Sequence, residues 1–347
     1  MKFKKLITSL LVGTLAIGAV GCSNNSKSEN KINSKTDGKT LKVVSAYGGQ
    51  EEIFKKFTKD TGVEVEFIDM SSGEVLSRIK SENGKPIADL WFGGGADSFI
   101  AAKEANLLQP YISKESKNIP KEYKDKEGYW TGVSLVTVGF MVNNEIIKEK
   151  GLDIPRNWDD LTNKKLKSEV MIADPSISGT NYAMVSGLIQ TWGEDKAWKY
   201  FENINRNIPF FAKRGSEPAN KVQAGEFGVG IIPVSKESFE AQKQYPVTIV
   251  YPDDILPWVP APVAIFKNAE NAESAKVFID WSLSKDGQEF IQTQDPRIMT
   301  RADVKEPEGV GKIPTGRFVK LNVEKLGLNR DETLGKWNEQ FGNKSSQ

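Results

Sequence analysis

The sequence predicts an α/β protein that is built on a mostly parallel β-sheet and divided between two domains. From residue 41 onward, short apolar runs alternate with amphipathic stretches, which is the pattern of consecutive β-α-β units. About 300 residues follow residue 40, more than a single compact domain usually holds. The chain is therefore long enough for two domains, each with its own hydrophobic core.

The first β-α unit is expected within residues 41–62. Apolar and β-branched residues favour a strand over Leu41–Ala46, which runs into a turn at residues 47–49 that contains two glycines. Apolar residues recur at helical spacing over Gln50–Thr61, so a helix is expected there, and Gly62 ends it.

The second unit repeats this plan. Val63–Ile68 alternates apolar and polar residues as a strand does, Gly73–Asn83 is expected to be a helix, and Ile87–Phe92 reads as a buried strand that ends in three glycines. In open α/β sheets, ligands bind at the carboxyl ends of the strands. The loops that follow these strands are therefore candidates for a binding site.

The N-terminus predicts a secretory signal peptide over residues 1–21. Three lysines precede the apolar run Leu6–Val20, which is shorter than the roughly 20 residues that cross a bilayer. Cys22 follows small residues directly, which resembles the bacterial lipoprotein signal, in which that cysteine becomes the lipidated first residue. A plain secretory signal with an incidental cysteine is the alternative. The polar residues 22–40 predict a flexible tether to the membrane.

Composition excludes several classes of function. The chain has 47 basic and 46 acidic residues, with a net charge of +1 and no block of one sign, so no nucleic-acid surface is expected. It has no histidine, the commonest general base and transition-metal ligand. No phosphate-cradling nucleotide loop and no paired-carboxylate motif are recognisable, so the protein is not expected to be an enzyme, and no cofactor or metal is expected.

Seven segments together resemble the extracellular solute-binding proteins of bacterial ABC importers, in the branch that contains ferric-ion, phosphonate, thiamine and sugar-phosphate binders. Their order and spacing carry the resemblance, which covers nearly the whole chain after residue 40. The segments are Val43–Gly49, Ala88–Gly94, Ala101–Leu108, Trp130–Asn143, Pro155–Leu161, Ala173–Thr180 and Ala224–Gly230.

The resemblance implies a two-lobed, periplasmic-binding-protein-like fold of type II, with the ligand in a cleft between lobes that are joined by crossing strands. The first lobe would comprise residues 41–138 and 262–347, and the second residues 139–261. Val133–Val142 and Val259–Phe266 are apolar enough to be crossing strands, although either is equally compatible with an ordinary core strand. The tail after Arg301 is expected to form a helix near Val319–Leu326 and to pack on the first lobe.

The strongest candidate for the binding site is Ser178-Gly179-Thr180, which precedes an expected apolar helix over Asn181–Trp192. A helix start offers free backbone N–H groups and the positive end of the helix dipole, and this suits an anion. The resemblance implies that this segment holds an anionic group. A plain N-cap at Ser178 or Thr180 is the alternative.

A second candidate pairs Arg214 with Ser216, where a strand end turns into a helix. An arginine there can bind a carboxylate or a phosphate through two hydrogen bonds, and the alternative is a solvated basic turn. On the first lobe, Tyr47, Gly48 and Gly94 are candidates to contact the solute, although tight turns alone would explain the glycines. The remaining candidate contacts are Ser235 and Trp258.

These features predict a protein that captures a small anionic organic solute, of the phosphonate or sugar-phosphate type. It would deliver that solute to the permease subunits of an ABC importer, acting as a monomer outside the cytoplasm and anchored to the membrane through Cys22. Ferric-ion binding is the first alternative, but Pro233-Val234-Ser235 stands where ferric-binding relatives carry tyrosines, which iron(III) favours. Thiamine binding, or a surface adhesin or structural lipoprotein, are the others.

Overall fold

The computed structural model describes residues 4–5, 40–82 and 85–345. The lipidated Cys22, most of the expected signal peptide and all of the expected tether before residue 40 lie outside the described residues. Lys4–Lys5 forms a two-residue strand, β1, which pairs antiparallel with residues 66–67.

The first lobe opens with alternating strands and helices. In chain order they are β2 (Leu41–Ser45), α1 (Gln50–Thr61), β3 (Val65–Asp69), α2 (Ser72–Ser81), β4 (Leu90–Phe92), α3 (Ala96–Glu104) and β5 (Leu108–Gln109). The helix α1 buries the apolar face that its spacing predicts and ends at Gly62, whose φ of 77° is a left-handed conformation that glycine adopts without strain.

A long strand, β6 (Thr131–Asn143), is buried along its whole length and carries the chain into the second lobe. The elements of that lobe follow. They are α4 (Asn144–Glu149), β7 (Val170–Met171), α5 (Gly179–Trp192), α6 (Glu194–Asn205), α7 (Glu217–Gln223), β8 (Val229–Pro233), α8 (Lys236–Ala241) and β9 (Val247–Val250).

The chain then returns to the first lobe and ends in two helices. These last elements are β10 (Trp258–Phe266), α9 (Ala272–Leu283), α10 (Lys285–Gln294), β11 (Ile298–Met299), α11 (Val323–Leu328) and α12 (Arg330–Phe341). Short 3₁₀ helices lie in the connections at residues 114–118, 121–123, 159–162, 164–166, 315–317 and 342–344.

Strand pairing explains how one sheet serves two lobes. In the first lobe β3, β2 and β4 are parallel neighbours, and β10 joins them antiparallel between β4 and β6. Residues 131–137 of β6 pair with β10, whereas residues 138–143 of the same strand pair with β8 and β9 in the second lobe. The strand β6 therefore crosses between the lobes, and it confirms the predicted two-lobed α/β fold.

The return path differs from the expected one. All strands that pair with β10 belong to the first lobe or to the first-lobe part of β6, so Val259–Phe266 is a core strand of that lobe. The chain crosses back just before it, where the Val138 N–H donates to the Pro257 carbonyl over 2.9 Å. We therefore propose that the second lobe ends before Trp258 rather than at Ala261.

The C-terminal tail packs on both lobes. Leu326 of α11 belongs to the first-lobe core, but Trp337 and Phe341 of α12 are buried in the core of the second lobe. The prediction that the whole tail packs on the first lobe is therefore wrong for its last helix. The apolar side chains of α12 find their complementary surface around Phe201 and Phe211, with which Trp337 makes ring contacts.

Candidate ligand-binding cleft

A cavity of about 190 Å³ lies between the two lobes. Both lobes contribute to its walls. The first lobe supplies Ala46, Asp69, Ser71, Ser72, Gly94, Gly95, Val136 and Arg297, and the second supplies Ser178, Gly179, Thr180, Arg214, Gly215, Ser216 and Pro233. Of the ten side chains and glycines predicted to bind solute, the structure brings six together here: Gly94, Ser178, Gly179, Thr180, Arg214 and Ser216.

Four helices begin at this cavity. The residues that directly precede α2, α3, α5 and α7 all line it, and they are Ser71, Gly95, Ser178 and Ser216. The first N–H groups of a helix have no partner within the helix, and the helix dipole places partial positive charge there. Two helices from each lobe thus direct unpaired donors and positive potential toward one space, which favours an anion.

Ser178 also has the structural role that the alternative interpretation assigned to it. Its Oγ accepts a hydrogen bond from the Asn181 N–H over 3.3 Å and therefore caps α5. Capping and lining are compatible, because one hydroxyl oxygen can accept from the helix while its proton points into the cavity. Thr180, one turn inward, is half-buried and lines the same space.

Glycines allow the two lobes to touch at the base of the cavity. A Cβ on Gly179 would lie 2.6 Å from the Ser72 Oγ, 2.7 Å from an Asp97 carboxylate oxygen and 2.9 Å from the Gly95 Cα. All three atoms belong to the first lobe. The Gly73 N–H also donates to the Ile177 carbonyl of the second lobe over 3.1 Å. The structure therefore shows the lobes closed upon each other at this end of the cleft.

Two arginines line the cavity in different environments. Arg214, from the second lobe, is half exposed and lies 3.6 Å from the carboxylate of Asp69 across the cleft. Arg297, from the first lobe, is only 8% exposed, and its Nη2 lies 2.6 Å from Asp295. Both side chains add N–H donors to those of the helix starts.

Tyr47 and Gly48 lie behind Arg297 rather than on the cavity wall. The Tyr47 ring stacks on Phe92 with centroids 4.5 Å apart, and its hydroxyl donates to the Ser134 Oγ over 2.6 Å. Burial raises the pKa of this hydroxyl, which therefore stays protonated. A Cβ on Gly48 would lie 2.6 Å from the Asp295 carboxylate, so this glycine makes room for the partner of Arg297.

Ser235 and Trp258 do not line the cavity either. Ser235 precedes α8 and interacts with Ser238 at the start of that helix. Trp258 is buried, its indole N–H donates to the Val319 carbonyl over 3.0 Å, and its ring stacks on Phe318. Both residues thus have local structural partners.

Sequence reasoning missed several first-lobe residues of the wall. Asp69, Ser71 and Ser72 follow the carboxyl end of β3, and this position is a signal that could have found them. Gly95 belongs to a glycine run from which only Gly94 was chosen. Arg297 lies in the turn between α10 and β11, where no sequence pattern indicates a site.

A buried ion pair joins the lobes behind the cavity. Arg330, at the start of α12, donates from Nε to the Asp97 carboxylate over 2.9 Å and from Nη2 to the Ser176 carbonyl over 2.9 Å. Asp97 is in the first turn of α3 in the first lobe, whereas Ser176 precedes α5 in the second. Burial raises the pKa of Asp97, and the Arg330 guanidinium acts in the opposite direction.

Two searches of the described residues gave no candidate. Over residues 4–5, 40–82 and 85–345, no three side chains of the metal-binding types come together as an ion site. Within the same part of the chain, none of the helices combines the length and the apolar character that crossing a bilayer requires.

Comparison with known proteins places this architecture among relatives. Residues 85–310 match the family model described as bacterial extracellular solute-binding protein. An uncharacterized protein of Haemophilus influenzae is 30% identical over 97% of this chain and 98% of its own length. The periplasmic binding protein AfuA of Actinobacillus pleuropneumoniae, solved with exogenous fructose-6-phosphate bound, is 31% identical with a TM-score of 0.82, over 87% of this chain and 98% of that one.

A more distant relative shares the fold alone. The ferric binding protein from Campylobacter jejuni superposes with a TM-score of 0.71 at 21% identity, over 86% of this chain and 98% of that one. The architecture is thus common to proteins with different ligands, and the ligand must be argued from the residues of the cleft.

Proposed function

The chain belongs to the bacterial extracellular solute-binding protein family, and from that premise we propose that its solute is a small organic phosphate, most closely a sugar phosphate. As a member of that family it is the solute-binding component of an ABC importer and acts outside the cytoplasm. The single observation that carries the choice of solute is the convergence of four helix starts on one cavity that also contains Arg214 and Arg297.

The chemistry of the wall fits a phosphate group. A phosphate has several acceptor oxygens and close to two negative charges near pH 7, so it needs many donors within a small space. The starts of α2, α3 and α5 supply backbone N–H groups, Ser178 and Thr180 supply hydroxyls, and Arg214 supplies a fork that matches two phosphate oxygens. A carboxylate has only two oxygens and would leave more of these donors unpaired.

Arg214 is also free to change partners. Its pair with Asp69 is long, at 3.6 Å, and both side chains are about half exposed, so the interaction contributes little by itself. We expect Arg214 to leave Asp69 and bind the phosphate when solute enters. Asp69 would then accept hydrogen bonds from hydroxyl groups of the same solute.

Similarity to AfuA supports a sugar phosphate over a phosphonate. That protein was solved with fructose-6-phosphate and aligns over most of this chain, and we carry its ligand class to this cleft as part of the proposal. A phosphonate satisfies the same donors through its phosphorus-bound oxygens and remains the second candidate. Ferric iron and thiamine are disfavoured, because the two arginines of the wall repel a cation.

Closure of the lobes is the proposed mechanism of capture. Contacts such as the Gly73 N–H to Ile177 bond exist only when the lobes touch, and a solute that bridges both walls stabilises that state. The permease subunits would recognise the closed shape and receive the solute. We further propose that the protein acts as a monomer and is held at the membrane by lipid on Cys22.

A thermal-shift screen tests the proposed solute. The chain without residues 1–22 is heated with fructose 6-phosphate, fructose, 2-aminoethylphosphonate, inorganic phosphate, citrate, thiamine and ferric citrate. A ligand at 100 times its Kd adds about 2.7 kcal/mol to the unfolding free energy. We expect the largest rise in Tm with fructose 6-phosphate and none with fructose, and a rise with thiamine or ferric citrate alone would contradict the proposal.

A further inference from the structure

We infer that Arg297 recognises the uncharged oxygens of the solute, its hydroxyl or carbonyl groups, while the helix starts and Arg214 hold the phosphate. This assignment rests on the proposed function and makes it more specific. It divides the cleft into a phosphate end and a polyhydroxyl end, so that an ester of phosphate binds more tightly than phosphate itself.

Arg297 has the position that such a role requires. It reaches the cavity from the first lobe, where Val136 of β6 and Pro233 of β8 also contribute to the wall. Val136 belongs to the crossing strand and Pro233 ends the strand that pairs with it, so this part of the wall is the one closest to the hinge. Only 8% of the Arg297 residue is exposed, and what is exposed faces a cavity between lobes.

The side chain is fixed in place before any solute arrives. Asp295 binds its Nη2 at 2.6 Å, and its guanidinium carbon lies 4.6 Å from the centroid of the Tyr47 ring. Tyr47 is itself anchored by Phe92 and Ser134. A donor held in this way loses little conformational entropy when it binds a ligand.

One of its donors is left without a partner. The Nε of Arg297 is buried and makes no hydrogen bond with any of the described residues. A buried N–H that lacks an acceptor is costly and rare in a folded protein. An oxygen of the solute within the cavity would satisfy it.

Charge decides which oxygen Arg297 takes. Its positive charge is already balanced by the buried carboxylate of Asp295, so the pair offers directed N–H groups with little net charge. Arg214, by contrast, has a distant and exposed carboxylate partner and retains most of its charge for an anion. The dianionic phosphate therefore belongs with Arg214, and the neutral oxygens belong with Arg297.

Isothermal titration of two ligands tests the inference. Arg297→Lys retains the charge beside Asp295 but loses the planar fork, and Arg214→Ala serves as the comparison. We expect Arg297→Lys to weaken fructose 6-phosphate about tenfold or more while the affinity for inorganic phosphate changes less than twofold, because only the ester reaches Arg297. Arg214→Ala should weaken both ligands. Equal losses for both ligands in Arg297→Lys, or no loss for either, would overturn the inference.

Two further measurements keep the test decisive. If Arg297→Lys does not fold, the double variant Asp295→Asn with Arg297→Gln removes both charges of the buried pair and is titrated with the same ligands. The unmodified protein should bind fructose 6-phosphate at least tenfold more tightly than inorganic phosphate, and equal affinities would refute the division of the cleft. If it binds neither ligand, the proposed function fails as well, whereas tight binding with an unaffected Arg297→Lys contradicts the inference alone.

Discussion

The two walls of the cleft are built in different ways. The second-lobe wall comes mainly from two short loops, residues 178–180 and 214–216, and its arginine is half exposed. The first-lobe wall combines residues from five separate parts of the chain, and its arginine is buried in an ion pair and stacked on Tyr47. The first wall is therefore a fixed platform, whereas the second is a mobile clamp that closes onto it. Changes in the packed platform should reduce stability, and changes in the clamp should reduce affinity alone.

The largest effect is expected at the buried pair that joins the lobes. Arg330→Ala leaves the Asp97 carboxylate buried without its cation, which typically costs about 3–5 kcal/mol. Chemical denaturation of the solute-free protein measures this loss. Lys199→Ala, which removes an exposed ion pair with Glu202, is the control and should cost about 1 kcal/mol or less. Similar losses for the two variants would mean that Arg330 is not a structural link.

A single methyl group on the clamp should prevent closure. The Cβ of Gly179→Ala would collide with Ser72, Asp97 and Gly95 of the first lobe only when the lobes touch. Overpacking of this kind costs about 1–3 kcal/mol, which corresponds to a loss of affinity of roughly 5- to 150-fold. Titration with fructose 6-phosphate measures the loss, and small-angle scattering should show a more open protein in the presence of ligand.

The control for Gly179→Ala is Gly335→Ala. No atom lies within 4 Å of a Cβ at Gly335, which is in the middle of α12, so affinity should be unchanged there. If Gly179→Ala binds as tightly as the control, the contact between the lobes does not belong to the solute-bound state.

Removal of single donors from the clamp should have a smaller effect. Arg214→Ala or Thr180→Ala should lower the affinity for fructose 6-phosphate by about 10-fold or more, since each loses a hydrogen bond to a charged group. The Tm of the solute-free protein should stay within a degree or two of the unmodified one, because Arg214 is half exposed. Arg156→Ala, at another exposed ion pair of the second lobe, should change neither quantity. Unaltered binding in both cleft variants would refute this assignment of the site.

The smallest expected effect is that of pH. A phosphate ester loses its second proton with a pKa of about 6, and the chain has no histidine that titrates in the same range. Affinity for fructose 6-phosphate should therefore fall by up to about tenfold from pH 7 to pH 5, as the dianion becomes the monoanion. A sulfate ester of the same sugar does not titrate there and should bind equally at both values. A parallel fall for the sulfate would assign the effect to a protein carboxyl such as Asp295, whose pKa burial raises.

The two walls also differ in how much of them the sequence predicts. Ser178, Gly179, Thr180, Arg214 and Ser216 lie in loops where hydroxyl or basic residues directly precede a helix, and such a local pattern is visible in the sequence. The platform depends on which strand ends become neighbours and on which face each side chain points to. Tyr47 illustrates this, because its ring turns toward Phe92 in the core. Arg297 depends entirely on tertiary structure.

Element types were more predictable than their packing. The first two β-α units form close to the expected residues, since apolar spacing decides them locally. The helix α12 was missed although Leu334, Trp337 and Phe341 recur at helical spacing. Its attachment to the second lobe was not predictable, because nothing in the spacing of apolar residues specifies which of two cores they join.

A crystal structure of the protein with fructose 6-phosphate tests the central claim most directly. We predict closed lobes, with phosphate oxygens within hydrogen-bond distance of the Gly179 and Thr180 N–H groups and of Arg214, and with sugar oxygens at Arg297. A phosphate bound at Arg297 with the sugar at the helix starts, or a sugar phosphate outside the cleft between the lobes, would contradict the account.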